Sequence, residues 1–256
     1  SLTVSGTITI NGGTGNNDNK IIAVGSGTVS CASITMVDPG DDRRDCIVSL
    51  STGTLNVTGN ITMNGSAARN QVTFTGAGKL NLGGAISGGD LIPATGSIVN
   101  YNGTTSQTIA INSDYVYTNL YINNLAGTTL QAAVTTTNVK GNIRIQSGIL
   151  NNGGFAIAGN SGAVFEVIDG ATLVLAGTST MASGFGTITL NNASTVNYSG
   201  AAQSVAGRTY GNIILSGTGT KTAAAAVTVN GTLTLSGITF ASGGFNSNLG
   251  VVSVSS

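Results

Sequence analysis

The densest group of reactive side chains in the sequence is Asp38-Pro39-Gly40-Asp41-Asp42-Arg43-Arg44-Asp45-Cys46, which holds four of the nine acids. Carboxylates gathered in one loop can hold Ca²⁺ through hard oxygen ligands. Asp38, Asp41, Asp42 and Asp45 are therefore a candidate metal set, and Ca²⁺ is the one cofactor the residues suggest. Against it, the spacing follows no EF-hand loop, no glutamate closes the set, and Arg43 and Arg44 compete for the same oxygens. A solvated, self-paired loop and a charged subunit contact are the competing readings. Cys31 and Cys46 bracket the loop, and the spacing suggests a disulfide between them. On the chain-entropy model, closing about 15 residues is worth roughly 3 kcal/mol. Such a bond implies an oxidising compartment.

Other reactive constellations are sparse. Hydrolysis of sugars needs two carboxyl groups about 5–10 Å apart across a groove. Asp41 with Asp45, and Glu166 with Asp169, are the pairs that meet this by sequence, and both are read as short loops without an aromatic platform to seat a sugar. The chain has no histidine, which removes imidazole-based triads and metal sites. No phosphate-cradling glycine loop leads into a helical pattern. No catalytic residue is assigned, and the chain reads as something other than an enzyme. Tyr101, Tyr115, Tyr117 and Tyr121, echoed by Tyr198 and Tyr210, either stack on sugars or fill a corner of the fold; their recurrence favours the corner.

The elements that position these residues are short strands. Apolar-polar-apolar triplets recur throughout, as in Leu55-Asn56-Val57, Ile61-Thr62-Met63, Leu80-Asn81-Leu82, Leu173-Val174-Leu175 and Leu233-Thr234-Leu235. Side chains alternate faces along a strand, so each triplet sends two apolar groups one way and one group the other. Glycines punctuate the triplets, and no helical period is present. Short strands with tight corners predict an all-β chain, a β-solenoid rod whose coils stack about 4.8 Å apart. At about 20 residues per coil this gives roughly 12 coils and about 60 Å of length. Two β-sandwich-like domains joined near residue 95 are the alternative.

Composition sets the surface. Charged residues are 7% of the chain, against about 25% in ordinary soluble domains, and the net charge is zero. No basic patch exists of the kind nucleic acid requires. No apolar run approaches the roughly 18 residues of a membrane helix, so membrane insertion is not expected. Hydrophobic residues are nevertheless 40% of the chain, too many for disorder. A neutral coat of hydroxyls and amides lacks the repulsion that keeps molecules apart. The chain opens at Ser1 with no charged-then-apolar leader, as a mature secreted chain does.

The last 160 residues repeat. Val99-Asn100-Tyr101-Asn102-Gly103 returns as Val196-Asn197-Tyr198-Ser199-Gly200, and Tyr117-Thr118-Asn119-Leu120-Tyr121-Ile122 as Tyr210-Gly211-Asn212-Ile213-Ile214-Leu215. Gly141-Asn142-Ile143-Arg144-Ile145 returns as Gly231-Thr232-Leu233-Thr234-Leu235. The organisation read from this is an N-terminal β section over 1–95, with a polar loop at 11–20 and the cysteine-bounded loop at 37–47. Duplicated solenoid repeats follow over 96–256, divided at about 96–190 and 191–256. The repeated phrases, over Val99–Phe155 and Val196–Phe245, resemble the repeats of large secreted bacterial β-solenoid surface proteins and adhesins. That resemblance implies an extracellular, cell-surface location and a structural or adhesive role. It brings no catalytic residue.

Both ends of the sequence carry uncharged alternating strands. Leu2, Val4, Ile8 and Ile10 mark the first, and Val251, Val252 and Val254 the last. Such strands can add to a neighbour's sheet, and a head-to-tail contact that does not close builds a filament. The expected partner is therefore the chain itself, as a homopolymer. A glycan- or surface-binding module of a larger adhesin is the second reading, and a carbohydrate-active β-helix enzyme the third.

Overall fold

The computed structural model describes residues 1–12, 19–37, 44–65 and 69–255. Among them are 26 strands and no helix. The N-terminal third contributes β1 (Leu2–Ile10), β2 (Lys20–Val24), β3 (Thr28–Met36), β4 (Cys46–Leu50) and β5 (Thr54–Val57). It continues with β6 (Ile61–Met63), β7 (Asn70–Phe74), β8 (Lys79–Leu82), β9 (Ile86–Ser87) and β10 (Asp90–Ile92). The middle holds β11 (Ile98–Tyr101), β12 (Gln107–Ile109), β13 (Asn119–Leu130), β14 (Ile143–Asn151), β15 (Val164–Val167), β16 (Thr172–Leu175) and β17 (Thr187–Leu190). The last stretch is β18 (Thr195–Tyr198), β19 (Gln203–Val205), β20 (Thr209–Tyr210), β21 (Asn212–Leu215) and β22 (Thr220–Ala223). It closes with β23 (Thr228–Val229), β24 (Thr232–Ser236), β25 (Thr239–Ala241) and β26 (Val251–Ser255).

The strand pairings between described residues are parallel, each strand lying on its counterpart one coil away. This is a β-solenoid of about ten turns. Sandwich-like domains would need antiparallel hairpins, and the alternative is set aside. The turn count is lower than 12 because the first coils are long. Leu2 pairs with Val29, 27 residues on, and Thr54 with Lys79, 25 residues on, whereas Thr195 reaches Asn212 in only 17.

Each coil passes three faces, and the strands on each face form a ladder. The first ladder runs β1, β3, β5, β8, β11, β13, β14, β15, β17. The second begins with the distal halves of β1 and β3, followed by β6 and β9. It resumes at β12 and continues through the distal halves of β13 and β14 to β16, β18, β21, β24 and β26. The third begins β2, β4, β7, β10 and passes to Tyr115. Near the top, β19, β22 and β25 form one short sheet and β20 with β23 another.

Registered alternation builds the core. On the first ladder Leu2, Val29, Leu55, Leu80, Val99, Leu120, Ile143, Phe165 and Ile188 stand in one inward column. Two residues along, Val4, Cys31, Val57, Leu82, Tyr101, Ile122, Ile145, Val167 and Leu190 form a second. Burying each large aliphatic group contributes about 1.5–3 kcal/mol. A one-residue slip would turn every column outward, so the pattern fixes the register. At one corner the coils approach so closely that only glycine is accommodated: a Cβ on Gly53 would run into the Gly27 carbonyl oxygen.

The expected disulfide is absent. Cys31 occupies the second inward column of the first ladder, between Val4 and Val57. Cys46 opens β4 on the third ladder, in register with Lys20 and Asn70. Both are buried and neither is bridged. Their positions on different faces of the coil, rather than the loop between them, decide this. The Cys46 thiol donates towards the carbonyl oxygens of Val37 and Ile10, at 3.6 and 3.8 Å. Burial pushes the Cys31 thiol up.

Candidate functional site: two strand edges and a polar column

The ends of the rod bare what its middle hides. An interior strand such as β5 or β16 alternates half-buried with buried residues. β26 is exposed along its whole length, with Val251 at 65%, Val252 at 50% and Val254 at 74%. It pairs with β24, so that Val252 lies over Leu233 and Val254 over Leu235. At the opposite end β1 pairs with β3. Leu2 is 57% exposed, Val4 and Ile8 are half-buried, and Ile10 is buried. Ile10, at the end of β1, is the one buried residue of the strand, and its carbonyl accepts from Val37 N one coil away at 2.9 Å. Beside it, Ile21 of β2 is exposed. Neither β1 nor β26 contains a charged residue. Each of these two strands is thus a parallel edge with an apolar row and no charge of its own to repel an incoming strand.

Of the acidic cluster, Asp38, Asp41 and Asp42 lie outside the described residues. Asp45 is held in place by three neighbours. Its carboxylate meets Arg69 Nη1 at 3.1 Å, its backbone N–H donates to Asn19 Oδ1 at 2.9 Å, and its carbonyl accepts from Lys20 N at 2.8 Å. Among the described residues no group of three or more acid or thiol ligands converges. Glu166 faces outward on β15 and pairs with Arg144 one coil away, at 2.8 Å. Asp169 Oδ1 accepts from Ala193 N at 2.8 Å. Each of these two carboxylates is engaged in bracing adjacent coils.

The repeated tyrosines are interior. Tyr101 and Tyr117 are fully buried and share a hydroxyl hydrogen bond of 3.0 Å; Tyr198 and Tyr210 repeat it at 2.9 Å. Tyr117 Oη donates to Ala110 O and Tyr210 Oη to Ala206 O. Burial holds all four hydroxyls above the ordinary tyrosine range, with Tyr101 pushed up to about 12. Only Tyr121, half-buried and outward on the first ladder, keeps a face near solvent. The repeated glutamine also acts internally. Gln107 Oε1 accepts from Gly103 N while its Nε2 donates to Leu82 O and Gly84 O. Gln203 does the same with Gly200 N, Leu175 O and Ser179 O. Each clamps a corner loop to the coil beneath.

Two features carried no motif. Lys221 is fully buried in β22, its ammonium donating to the carbonyls of Gly200 at 2.6 Å, Thr218 at 3.3 Å and Ala201. Burial lowers its pKa. The signal for it was phase: in Thr220-Lys221-Thr222-Ala223 the lysine shares the inward parity of Ala223. On the outer side of the first ladder an amide column links the coils. Asn56 Nδ2 donates to Ser30 Oγ at 3.0 Å, Asn81 to Asn56 Oδ1 at 2.7 Å, and Asn100 to Asn81 Oδ1 at 2.8 Å. Beside it lies a shallow groove of about 140 Å³ lined by Asn56, Thr58, Asn81, Asn102 and Thr104 over Gly83.

No family model, curated protein or solved structure matches this chain.

Proposed function

We propose that the chain is an extracellular structural protein, a filament subunit assembled head to tail by parallel strand addition between β26 of one copy and β1 of the next. The observation that carries this reading is the pair of bare, uncharged strand edges, each with an apolar row in the phase of the interior columns. A second copy supplies a strand of the required alternation and direction at each end. The low charge and the neutral amide and hydroxyl coat let rods approach without repulsion. The chemistry assigned to the molecule is association, with no reaction and no cofactor. The resemblance to secreted surface repeats agrees with a place outside the cell.

The test is an edge charge. Val252→Lys with Val254→Lys places two ammonium groups on the exposed edge and alters only the last, exposed members of the inward columns. Circular dichroism confirms folding, and electron microscopy scores fibres. Loss of fibres in a folded variant is expected; fibres equal to those of the unmodified chain would refute strand addition. A second reading, a glycan-binding module of a larger adhesin, draws on the groove beside the amide column, whose hydroxyls and amides match sugar hydroxyls. Calorimetry with neutral oligosaccharides tests it, and heat lost on Asn81→Ala would favour it.

A further inference from the structure

The two copies of the repeat do not sit on the same face of the rod. In the first copy β11, which carries Val99-Asn100-Tyr101, lies on the first ladder, above β8 and below β13. Its equivalent β18, which carries Val196-Asn197-Tyr198, lies on the second ladder, above β16 and below β21. The displacement holds for the rest of each copy. β12 lies on the second ladder, and its equivalent β19 starts the sheet it forms with β22 and β25. The first ladder meanwhile has its last strand at β17, which pairs with β15 and is less buried than the strands below it.

The corner that opens each coil moves with it. In the lower part this corner is a column of glycines before the first ladder, where a Cβ on Gly53 would strike Gly27 O and one on Gly78 would crowd Gly53 O. In the upper part the column stands before the second ladder, where a Cβ on Gly231 would strike Gly211 O and one on Gly250 would strike Gly231 O. A chain therefore begins its coils on one face and ends them on the next.

From this, and resting on the head-to-tail reading above, we infer that each chain in the filament is turned by one face, about a third of a turn, relative to the chain below it. Coil opening then stacks on coil opening. β1 of the upper copy sits on β26, with Leu2 over Val252 and Val4 over Val254, so that Thr3 meets Ser253. The distal half of β1 lands on β25, whose residues are exposed or half-buried. The first ladder of one chain continues the second ladder of its neighbour, and every third chain regains the same orientation. An unturned stack would instead put Ile8 and Ile10 over Val252 and Val254, so that Thr9 meets Ser253.

Cross-linking separates the two stacks. Adjacent parallel strands lie about 4.8 Å apart, within the Cα separation a disulfide spans, about 4.4–6.8 Å. The full chain is made with Ser253→Cys plus Thr3→Cys, and separately with Ser253→Cys plus Thr9→Cys. Thr3, Thr9 and Ser253 are all exposed, and the native thiols are buried. After oxidation, non-reducing electrophoresis reads the ladder of linked chains. The inference predicts a ladder at least several-fold stronger for the Thr3 pair. A stronger ladder for the Thr9 pair, or equal ladders, overturns the turn while leaving head-to-tail assembly standing. No ladder from either pair removes the head-to-tail reading and this inference together. Helical reconstruction of the fibres gives the same answer independently, as a rotation near a third of a turn or near zero per chain.

Discussion

The buried polar side chains stabilise only as complete sets. Lys221 donates to three carbonyls, and its buried charge is tolerated because those oxygens gather around it. Lys221→Met keeps the stem and removes the donor. Hydrogen bonds to a charged group are worth about 1.5–3 kcal/mol, so the variant is expected to lose about 2 kcal/mol in urea unfolding; unchanged stability would mean the carbonyls find other donors. The tyrosine pairs predict a pH dependence with a definite sign. Tyr101 ionises near 12 when folded and near 10 when unfolded. Above pH 10 the unfolded chain releases protons that the folded chain retains, so stability is full below about 10 and falls between 10 and 12. Melting temperature and phenolate absorbance, followed together through that window, should fall and rise in step. In Tyr121→Phe, which removes the one tyrosine that faces solvent, phenolate appearing without loss of the fold would contradict the buried pairing. The two thiols are core residues, so a reductant should leave the melting temperature unchanged. A drop would reinstate the disulfide.

At the scale of strands and corners, alternation carries most of the information. Leu80-Asn81-Leu82 already separates two inward leucines from the outward asparagine of the amide column, and the structure keeps that division from Leu2 to Leu190. Which corner a given residue meets was not legible. It depends on how many residues each coil spends, and that number varies from 27 to 17 with no mark in the local pattern. Cys31 and Cys46 show the consequence. They bracket one loop in the sequence, yet the coil path sets them on different faces. Lys221 was readable in principle by parity, but a lysine in a Thr-rich strand suggests an outward position until its partners are known. Corner geometry is directly testable. Gly53→Ala should cost about 1–3 kcal/mol through overpacking against backbone. Gly6→Ala, where an added Cβ meets nothing within 4 Å, should change little. Equal effects at the two sites would contradict the close-packed corner.

For the whole molecule, the duplication is what lies beyond any single strand. The copies match in sequence, and the pairings show that one is set a face round from the other, a relation visible only when the ladders are traced. The same tracing leaves β1 and β26 as edges at opposite ends, bare and uncharged. Of the Asp38–Cys46 loop, the sequence's strongest chemical feature, residues 44–46 are described: the Asp45 carboxylate joins coils through Arg69, and the Cys46 thiol faces the Val37 and Ile10 carbonyls. The central claim is that the two edges join copies of the chain. It is tested most directly by electron microscopy of the purified chain over a range of concentrations. Ten turns at about 4.8 Å per coil predict unbranched fibres one rod wide with a repeat near 48 Å per chain, growing longer as concentration rises. Single rods of one chain's length at every concentration would contradict it.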